Sequence, residues 1–140
     1  MKVYIASDHA GFELKAELIK EFANGYEFID LGTNTSDSVD YPDYAQELAK
    51  KVLNDDSLGI LICGSGVGMS ISANRFKGIR AALVTNVEIA KLSKQHNNSN
   101  VLVLGSRFLT KTEAINITKA WFETEFEAGR HLKRIEKIEL

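Results

Sequence analysis

Short apolar runs rich in β-branched residues alternate with stretches of helical periodicity along almost the entire chain of 140 residues. Such runs predict buried strands, and the stretches between them predict helices. A strand that is followed by a helix returns to the same end of the sheet, so successive strands run parallel. The alternation therefore predicts an α/β fold, a doubly wound sandwich with five strands: Val3–Ser7, Phe28–Leu31, Gly59–Cys63, Arg80–Val84 and Asn100–Leu104.

The segments between the strands have an apolar stripe on one side and charges on the other. Leu14, Leu18 and Phe22 recur every four residues, and this first helix is expected to end at Asn24-Gly25. No repeat or linker interrupts the pattern, so residues 1–140 are expected to form a single domain. The other predicted helices are Tyr41–Leu53, Met69–Phe76, Glu88–Gln95, Lys111–Phe122 and the charged segment Glu127–Ile138.

Composition excludes several classes of partner. The formal net charge is −2 and the isoelectric point is near 5.9, which argues against a broad basic surface for nucleic acid. Apolar runs are far shorter than the ~20 residues that cross a bilayer, and no signal-peptide pattern follows Met1. A single cysteine indicates a reducing compartment. We therefore expect a cytoplasmic protein with no membrane or nucleic-acid partner.

In a doubly wound sheet, ligands bind outside the carboxyl ends of the strands. The first predicted strand ends in Ser7-Asp8-His9-Ala10-Gly11, which places a carboxylate and an imidazole beside the start of a helix. A structural alternative is that Ser7 or Asp8 caps the helix and His9 is an ordinary residue of its first turn.

The third predicted strand leads into Cys63-Gly64-Ser65-Gly66-Val67-Gly68. Alternating glycines at the start of a helix allow several backbone N–H groups to turn towards one anion, and the same field favours a thiolate at Cys63. The alternative is a small buried cysteine with no chemical role. A dinucleotide site fits poorly because the spacing is GxGxG and no acidic residue closes the next strand, and no phosphate-binding P-loop sequence occurs.

Basic and polar residues late in the chain complete the set of candidate site residues. His96 and Asn97 follow a predicted helix, where they could bind substrate or only complete the helix end. Arg107 follows the last strand. Arg130 and Arg134 are spaced to leave one face of a helix, which could also be an ordinary solvated face. Gly129 weakens that helix and suggests close approach of a ligand or backbone.

A sugar phosphate would use all of these groups, because it offers a phosphate to arginines, hydroxyls to Asp and Asn, and an acidic C–H to a base. With these motifs, and with Asp40-Tyr41-Pro42 and Gly129-Arg130-His131, the chain resembles the ribose-5-phosphate isomerase B family over nearly its whole length. This family shares a superfamily with the galactose-6-phosphate isomerase subunits.

The resemblance implies a Rossmann-like three-layer αβα sandwich with a five-stranded parallel sheet. It also implies a reaction of the pentose phosphate pathway, the interconversion of ribose 5-phosphate and ribulose 5-phosphate through a cis-enediolate, without metal or other cofactor. Homodimers or tetramers whose sites combine residues of two subunits are implied as well.

By position, Cys63 is similar to the family's base and His96 to the acid that opens the furanose ring. Some members use a glutamate six residues after the cysteine position instead, but Met69 stands there in this chain. The implied substrate-binding residues are Asp8 and Asn97 for hydroxyls, Gly64, Ser65, Gly66, Val67 and Gly68 for the enediolate oxygen, and His9, Arg107, Arg130 and Arg134 for the phosphate.

Three alternatives stay open at this point. The first is the same chemistry on a six-carbon sugar phosphate, the second a binding module without catalysis, and the third a structural α/β domain. The sequence leaves undecided whether Tyr41 lines the site or packs on Pro42, and which subunit supplies each arginine.

Overall fold

The five predicted strands form one parallel sheet in this computed structural model, which describes residues 1–139. Their order in space is β2-β1-β3-β5-β4, so the direction of winding reverses between β1 and β3. A crevice opens at the carboxyl ends of the two strands beside such a reversal. The strands are β1 (Lys2–Ser7), β2 (Glu27–Asp30), β3 (Leu58–Cys63), β4 (Ala81–Leu83) and β5 (Val101–Gly105).

Helices cover both faces of the sheet, which confirms the three-layer sandwich. Val3 and Ile5 of β1 point into one apolar cluster, while Tyr4 and Ala6 point into the other, as alternation along a strand requires. None of the helices described here is long and apolar enough to span a membrane. The helices are α1 (Phe12–Phe22), α2 (Tyr41–Asp55), α3 (Val67–Ala73), α4 (Val87–Gln95), α5 (Lys111–Glu123) and α6 (Arg130–Ile138).

Two helices, α6 and α3, differ most from the predicted ones, and the bounds of α2, α4 and α5 differ by one or two residues. Helix α6 begins at Arg130 and not at Glu127, because Ala128 and Gly129 both have positive φ, of 55° and 54°. The nearest atom of this chain to a Cβ built on Gly129 is the Glu127 carbonyl oxygen at 4.0 Å, so the positive φ accounts for this glycine within the chain, and close approach of a ligand stays a prediction.

Helix α3 begins two residues before the predicted Met69 and ends at Ala73. It ends there because the side chain of Asn74 leaves the helix to pair with β4. Its Nδ2 donates to the Ala81 carbonyl at 2.9 Å, and its Oδ1 accepts from the Ala81 N–H at 2.8 Å.

Candidate functional site

Polar side chains gather where β1, β3 and β5 end. These neighbouring parallel strands carry Ser7 opposite Ile62 and Cys63 opposite Gly105, so the residues that follow them emerge side by side. The structure thus brings together one part of the predicted site, which we name the carboxyl-end group: Asp8, His9, Cys63, Gly64, Ser65, Gly66, Val67, Gly68 and Arg107.

Asp8 is held in a tight turn and does not cap α1. Its Oδ1 accepts a hydrogen bond from the Ala10 N–H at 2.9 Å, and the N-cap of α1 is Gly11. A Cβ on Gly11 would lie 2.7 Å from the Ile62 side chain, so this glycine lets the turn pack directly on β3. The carboxylate of Asp8 is therefore fixed at the crevice, although it is only 7% exposed.

The ring of His9 is oriented by the loop that precedes α2. Its Nδ1 accepts a hydrogen bond from the Val39 N–H at 3.2 Å. An accepting Nδ1 leaves the proton of a neutral imidazole on Nε2. Nε2–H is then a donor, which suits the oxygen of a phosphate or hydroxyl.

Cys63 lies at the last position of β3, 5% exposed, against the apolar cluster under α2 and α3. Its Sγ accepts a hydrogen bond from the Gly66 N–H at 3.2 Å, which stabilises negative charge on sulfur. Gly66 has φ of 80°, a conformation that glycine adopts without strain. The turn that follows β3 therefore points the Gly66 N–H group at the Cys63 sulfur.

The other amides of the loop divide into two sets. The Val67 N–H donates to the Ser65 hydroxyl oxygen at 3.2 Å. Gly68 and Met69 lie in the first turn of α3, where N–H groups have no acceptor within the helix. Their amides are suited to receive an oxyanion beside Cys63.

Arg107 and Tyr41 lie over two of the loop glycines. A Cβ on Gly64 would be 2.8 Å from an Arg107 guanidinium nitrogen, and the Arg107 N–H donates to the Gly64 carbonyl at 3.0 Å. A Cβ on Gly68 would lie 2.5 Å from the nearest atom of the Tyr41 ring. Both glycines are needed for these approaches, and Tyr41 borders the loop.

The remaining predicted residues form a second set, the amino-end group: His96, Asn97, Arg130 and Arg134. His96 is the C-cap of α4, and its ring stacks on His131 of α6 at 4.3 Å between centroids and 17° between planes. Arg130 and Arg134 are exposed on the same helix as His131.

The two groups lie at opposite ends of the sheet within one chain. Helix α4 runs antiparallel to the strands, so it ends at the amino end of β5, where the Asn100 carbonyl accepts from the Gly59 N–H at 2.9 Å. Cys63 is four positions further along β3, which corresponds to about 13 Å of strand. The structure therefore does not bring His96 to Cys63 in the same subunit.

His131 and Glu127 are two residues at this end whose roles the sequence analysis did not assign. His131 is 7% exposed, and its Nε2 lies 3.7 Å from Glu127 Oε1. Burial lowers the pKa of His131 below its usual 6.5, and His96 and Arg130 lower it further, while Glu127 opposes them. The sequence signal for the pair was a spacing of four residues within the predicted helix Glu127–Ile138, although Glu127 lies outside the observed α6.

His96, Glu127 and His131 offer donor atoms within 4.8 Å of one another, a spacing that a metal could use. The two rings are nearly parallel, however, so their in-plane lone pairs point side by side. A tetrahedral zinc needs nitrogen lone pairs that converge at ~2.0–2.1 Å. The arrangement fits a stacked pair better than a metal centre.

A cavity of about 580 Å³ opens beside the amino-end group. Asn97 contributes to it, together with apolar walls from Phe76, Ile79 and Ile138. No lining residue of this cavity belongs to the carboxyl-end group. Of the amino-end group, Asn97 alone is among the lining residues of this cavity.

A parallel sheet with a carboxylate, an imidazole and a dipole-facing thiol beside its reversal point defines an α/β enzyme for a small anionic substrate. The sequence comparison narrows this class. The chain belongs to the ribose/galactose isomerase family, whose sequence profile matches residues 3–138.

Individual relatives agree over nearly the full chain. The chain is 45% identical over 139 residues to ribose-5-phosphate isomerase B of Escherichia coli, which covers 98% of this chain and 93% of the relative. The crystal structure of a ribose 5-phosphate isomerase from Thermotoga maritima is similar at a TM-score of 0.96 and 46% identity, covering 99% of this chain and 97% of that one. The corresponding enzyme of Mycoplasma genitalium, solved with bound ribulose 5-phosphate, has a TM-score of 0.95 at 45% identity, covering 98% and 93%.

Proposed function

We propose that this protein is a ribose-5-phosphate isomerase, which interconverts ribose 5-phosphate and ribulose 5-phosphate through a cis-enediolate. The observation that carries the proposal is the hydrogen bond from the Gly66 N–H to Cys63 Sγ, in a loop over which Arg107 lies. A relative with bound ribulose 5-phosphate and nearly the same fold supports the choice of substrate.

The first step opens the furanose ring of ribose 5-phosphate. The C1–O4 bond breaks, O4 takes a proton, O1 loses one, and C1 becomes an aldehyde carbon. We assign the proton for O4 to His96, since an imidazole can supply a proton near neutral pH. Asp8 and Asn97 bind hydroxyls in this scheme.

The second step moves hydrogen between C2 and C1. The Cys63 thiolate removes the proton from C2, and the electron pair forms the C1=C2 bond of the enediolate with the negative charge on O1. The proton of the C2 hydroxyl then moves to O1, the thiol protonates C1, and the C2–O bond becomes the ketone. The negative oxygen that develops would be met by the loop Gly64, Ser65, Gly66, Val67 and Gly68, whose amides need little reorganisation.

The phosphate is assigned to His9, Arg107, Arg130 and Arg134. Because the carboxyl-end and amino-end groups are separated along the sheet, one complete site requires two subunits, with the amino-end group of one facing the carboxyl-end group of the other. We propose a homodimer, or a tetramer of such dimers. We also propose that residues 1–140 act as a single domain in the cytoplasm, in the pentose phosphate pathway.

Nuclear magnetic resonance of ribose 5-phosphate in D₂O tests the reaction class. We expect ribulose 5-phosphate to form with deuterium at C1 and at the same rate when a chelator is present. Failure to form the ketose, with tight binding of ribose 5-phosphate, would support a binding module. The absence of both turnover and binding would support a structural domain.

A six-carbon substrate is a second candidate, because the family profile covers galactose isomerases as well. The two candidates differ in how far the sugar extends between the glycine loop and the phosphate. Comparing kcat/KM for ribose 5-phosphate with those for allose 6-phosphate and galactose 6-phosphate decides between them. A higher value for either six-carbon sugar would replace the proposed substrate.

The shared site can be tested by mixing inactive subunits. Cys63→Ala and His96→Asn chains are unfolded together and refolded as a mixture. Half of the dimers are then mixed, and each mixed dimer has one site with both native residues, so activity should return to about a quarter of the wild-type value. No return of activity, with mixed dimers demonstrated by mass, would show that each site lies within one chain.

A further inference from the structure

The imidazole of His96 has an unusual support. No hydrogen bond to another side chain or to the backbone orients it among residues 1–139, and its ring stacks on the face of His131, 4.3 Å away between ring centroids. Only its backbone is held by the helix, where the His96 N–H donates to the Leu92 carbonyl at 2.9 Å. The orientation of the ring therefore depends on the residue on which it stacks.

His131 is itself held firmly. Its N–H donates to the Ala128 carbonyl at 3.0 Å, in the tight turn of positive-φ residues that starts α6. Its Nε2 lies 3.7 Å from the Glu127 carboxylate. The Glu127 N–H donates to the Gln95 carbonyl at 3.1 Å, one residue before His96. These backbone hydrogen bonds hold the segment before α6 against the end of α4, which keeps the rings of His96 and His131 in contact.

The charges around the stack favour a neutral His131. Burial, His96, Arg130 and Arg134 all lower its pKa, and only Glu127 raises it. A neutral His131 places no positive charge against the face of the His96 ring.

We propose that His131 is a positioning residue for the ring-opening acid, holding the His96 imidazole by stacking. This inference rests on the proposed function, because it assigns His131 to one step of that reaction.

The chemistry of the two substrates separates the steps. Ribose 5-phosphate is a closed furanose and must be opened first. Ribulose 5-phosphate is open, because its C5 oxygen carries the phosphate and closure from C2 onto O4 would form a strained four-membered ring. Exchange of its C1 hydrogen in D₂O therefore requires Cys63 but not ring opening.

The experiment measures both reactions in His131→Ala, His131→Phe and, as a matched control on the exposed side of α6, Lys133→Ala. His131→Ala should lower kcat with ribose 5-phosphate about tenfold, as expected for a misplaced catalytic group, and leave C1 exchange of ribulose 5-phosphate within about twofold. His131→Phe keeps a flat ring and should recover most of the loss. Lys133→Ala should match the wild type in both reactions.

Three results would overturn the inference: unchanged turnover in His131→Ala, an equal loss in both reactions, or a His131→Phe variant as slow as His131→Ala. If His131→Ala fails to fold, His131→Gln serves in its place, because it removes the flat ring and keeps a polar side chain. It should slow ribose 5-phosphate turnover about tenfold with C1 exchange within about twofold, and an equal loss in both reactions, or no loss, would also overturn the inference. A wild-type protein without C1 exchange would overturn the proposed function itself, and this inference with it.

Discussion

The two halves of the candidate site are built in different ways. The carboxyl-end group is made from backbone: its turns follow strands, its glycines admit Arg107 and Tyr41, and its thiol is bonded to an amide. The amino-end group consists of side chains at the ends of helices, where His96 stacks on His131 and Arg130 and Arg134 are exposed. We infer that the first half provides proton transfer on a rigid frame and the second half provides ring opening and charge.

The largest effect expected from this comparison is that of Cys63→Ala. Without the base, both turnover of ribose 5-phosphate and C1 exchange of ribulose 5-phosphate should fall roughly a thousandfold or more. His96→Asn, in the other half, should slow only the reaction that needs ring opening. Calorimetry should show that Cys63→Ala still binds ribose 5-phosphate. Substantial turnover in Cys63→Ala would reject the thiol as base.

Arginines of the amino-end group should affect binding more than chemistry. Arg130→Ala or Arg134→Ala removes a charged hydrogen bond to the phosphate and should weaken substrate affinity by about 1.5–3 kcal/mol, or about 10- to 150-fold in KM. Lys133→Ala, between them on the exposed surface, is the matched control. If KM is unchanged in both arginine variants, the phosphate lies elsewhere.

The sequence predicted the carboxyl-end group better than the amino-end group for a topological reason. Parallel strands end at one edge of the sheet, so residues such as Asp8 and Cys63 could be placed together from the strand pattern alone. The stack of His96 on His131 joins the ends of two helices far apart in sequence, and no local pattern encodes their distance. The positive φ at Ala128 that starts α6 was also invisible to a periodicity argument.

Substituting alanine for Gly66 and for Gly129 compares how strongly the stability of the carboxyl-end and amino-end regions depends on backbone conformation. At Gly66, a Cβ would contact Leu83 and lie 3.2 Å from the Gly105 nitrogen, at a φ of 80°. At Gly129 the φ is 54°, but the nearest atom to a Cβ would be the Glu127 carbonyl oxygen at 4.0 Å. Gly66→Ala should lower the free energy of unfolding by about 2–4 kcal/mol and Gly129→Ala by about 1–2 kcal/mol. Urea denaturation measures both, and the reverse order would contradict the packing argument.

Acid should lower the free energy of unfolding in two stages, the first set by His131 and the second by Asp55. The pKa of His131 is lowered from 6.5, first by burial, so the unfolded chain binds its proton more readily and stability should fall as the pH drops below about 6.5.

Asp55 accepts hydrogen bonds from Tyr4 at 2.7 Å and from Lys2 at 3.0 Å. These bonds lower its pKa from 3.8 to about 2, with the bond from Tyr4 the largest cause.

The stabilisation from Asp55 is therefore complete above pH 4 and is lost as the pH falls towards 2. Because this carboxylate is solvent-accessible, its effect should be the smallest of those described here. Urea unfolding of the wild type and of Asp55→Asn at pH 7, 5 and 3 measures it. The variant should be less stable at pH 7, and the gap should narrow at pH 3. A gap that is constant with pH would mean that the Asp55 charge contributes nothing and that its loss acts only through packing.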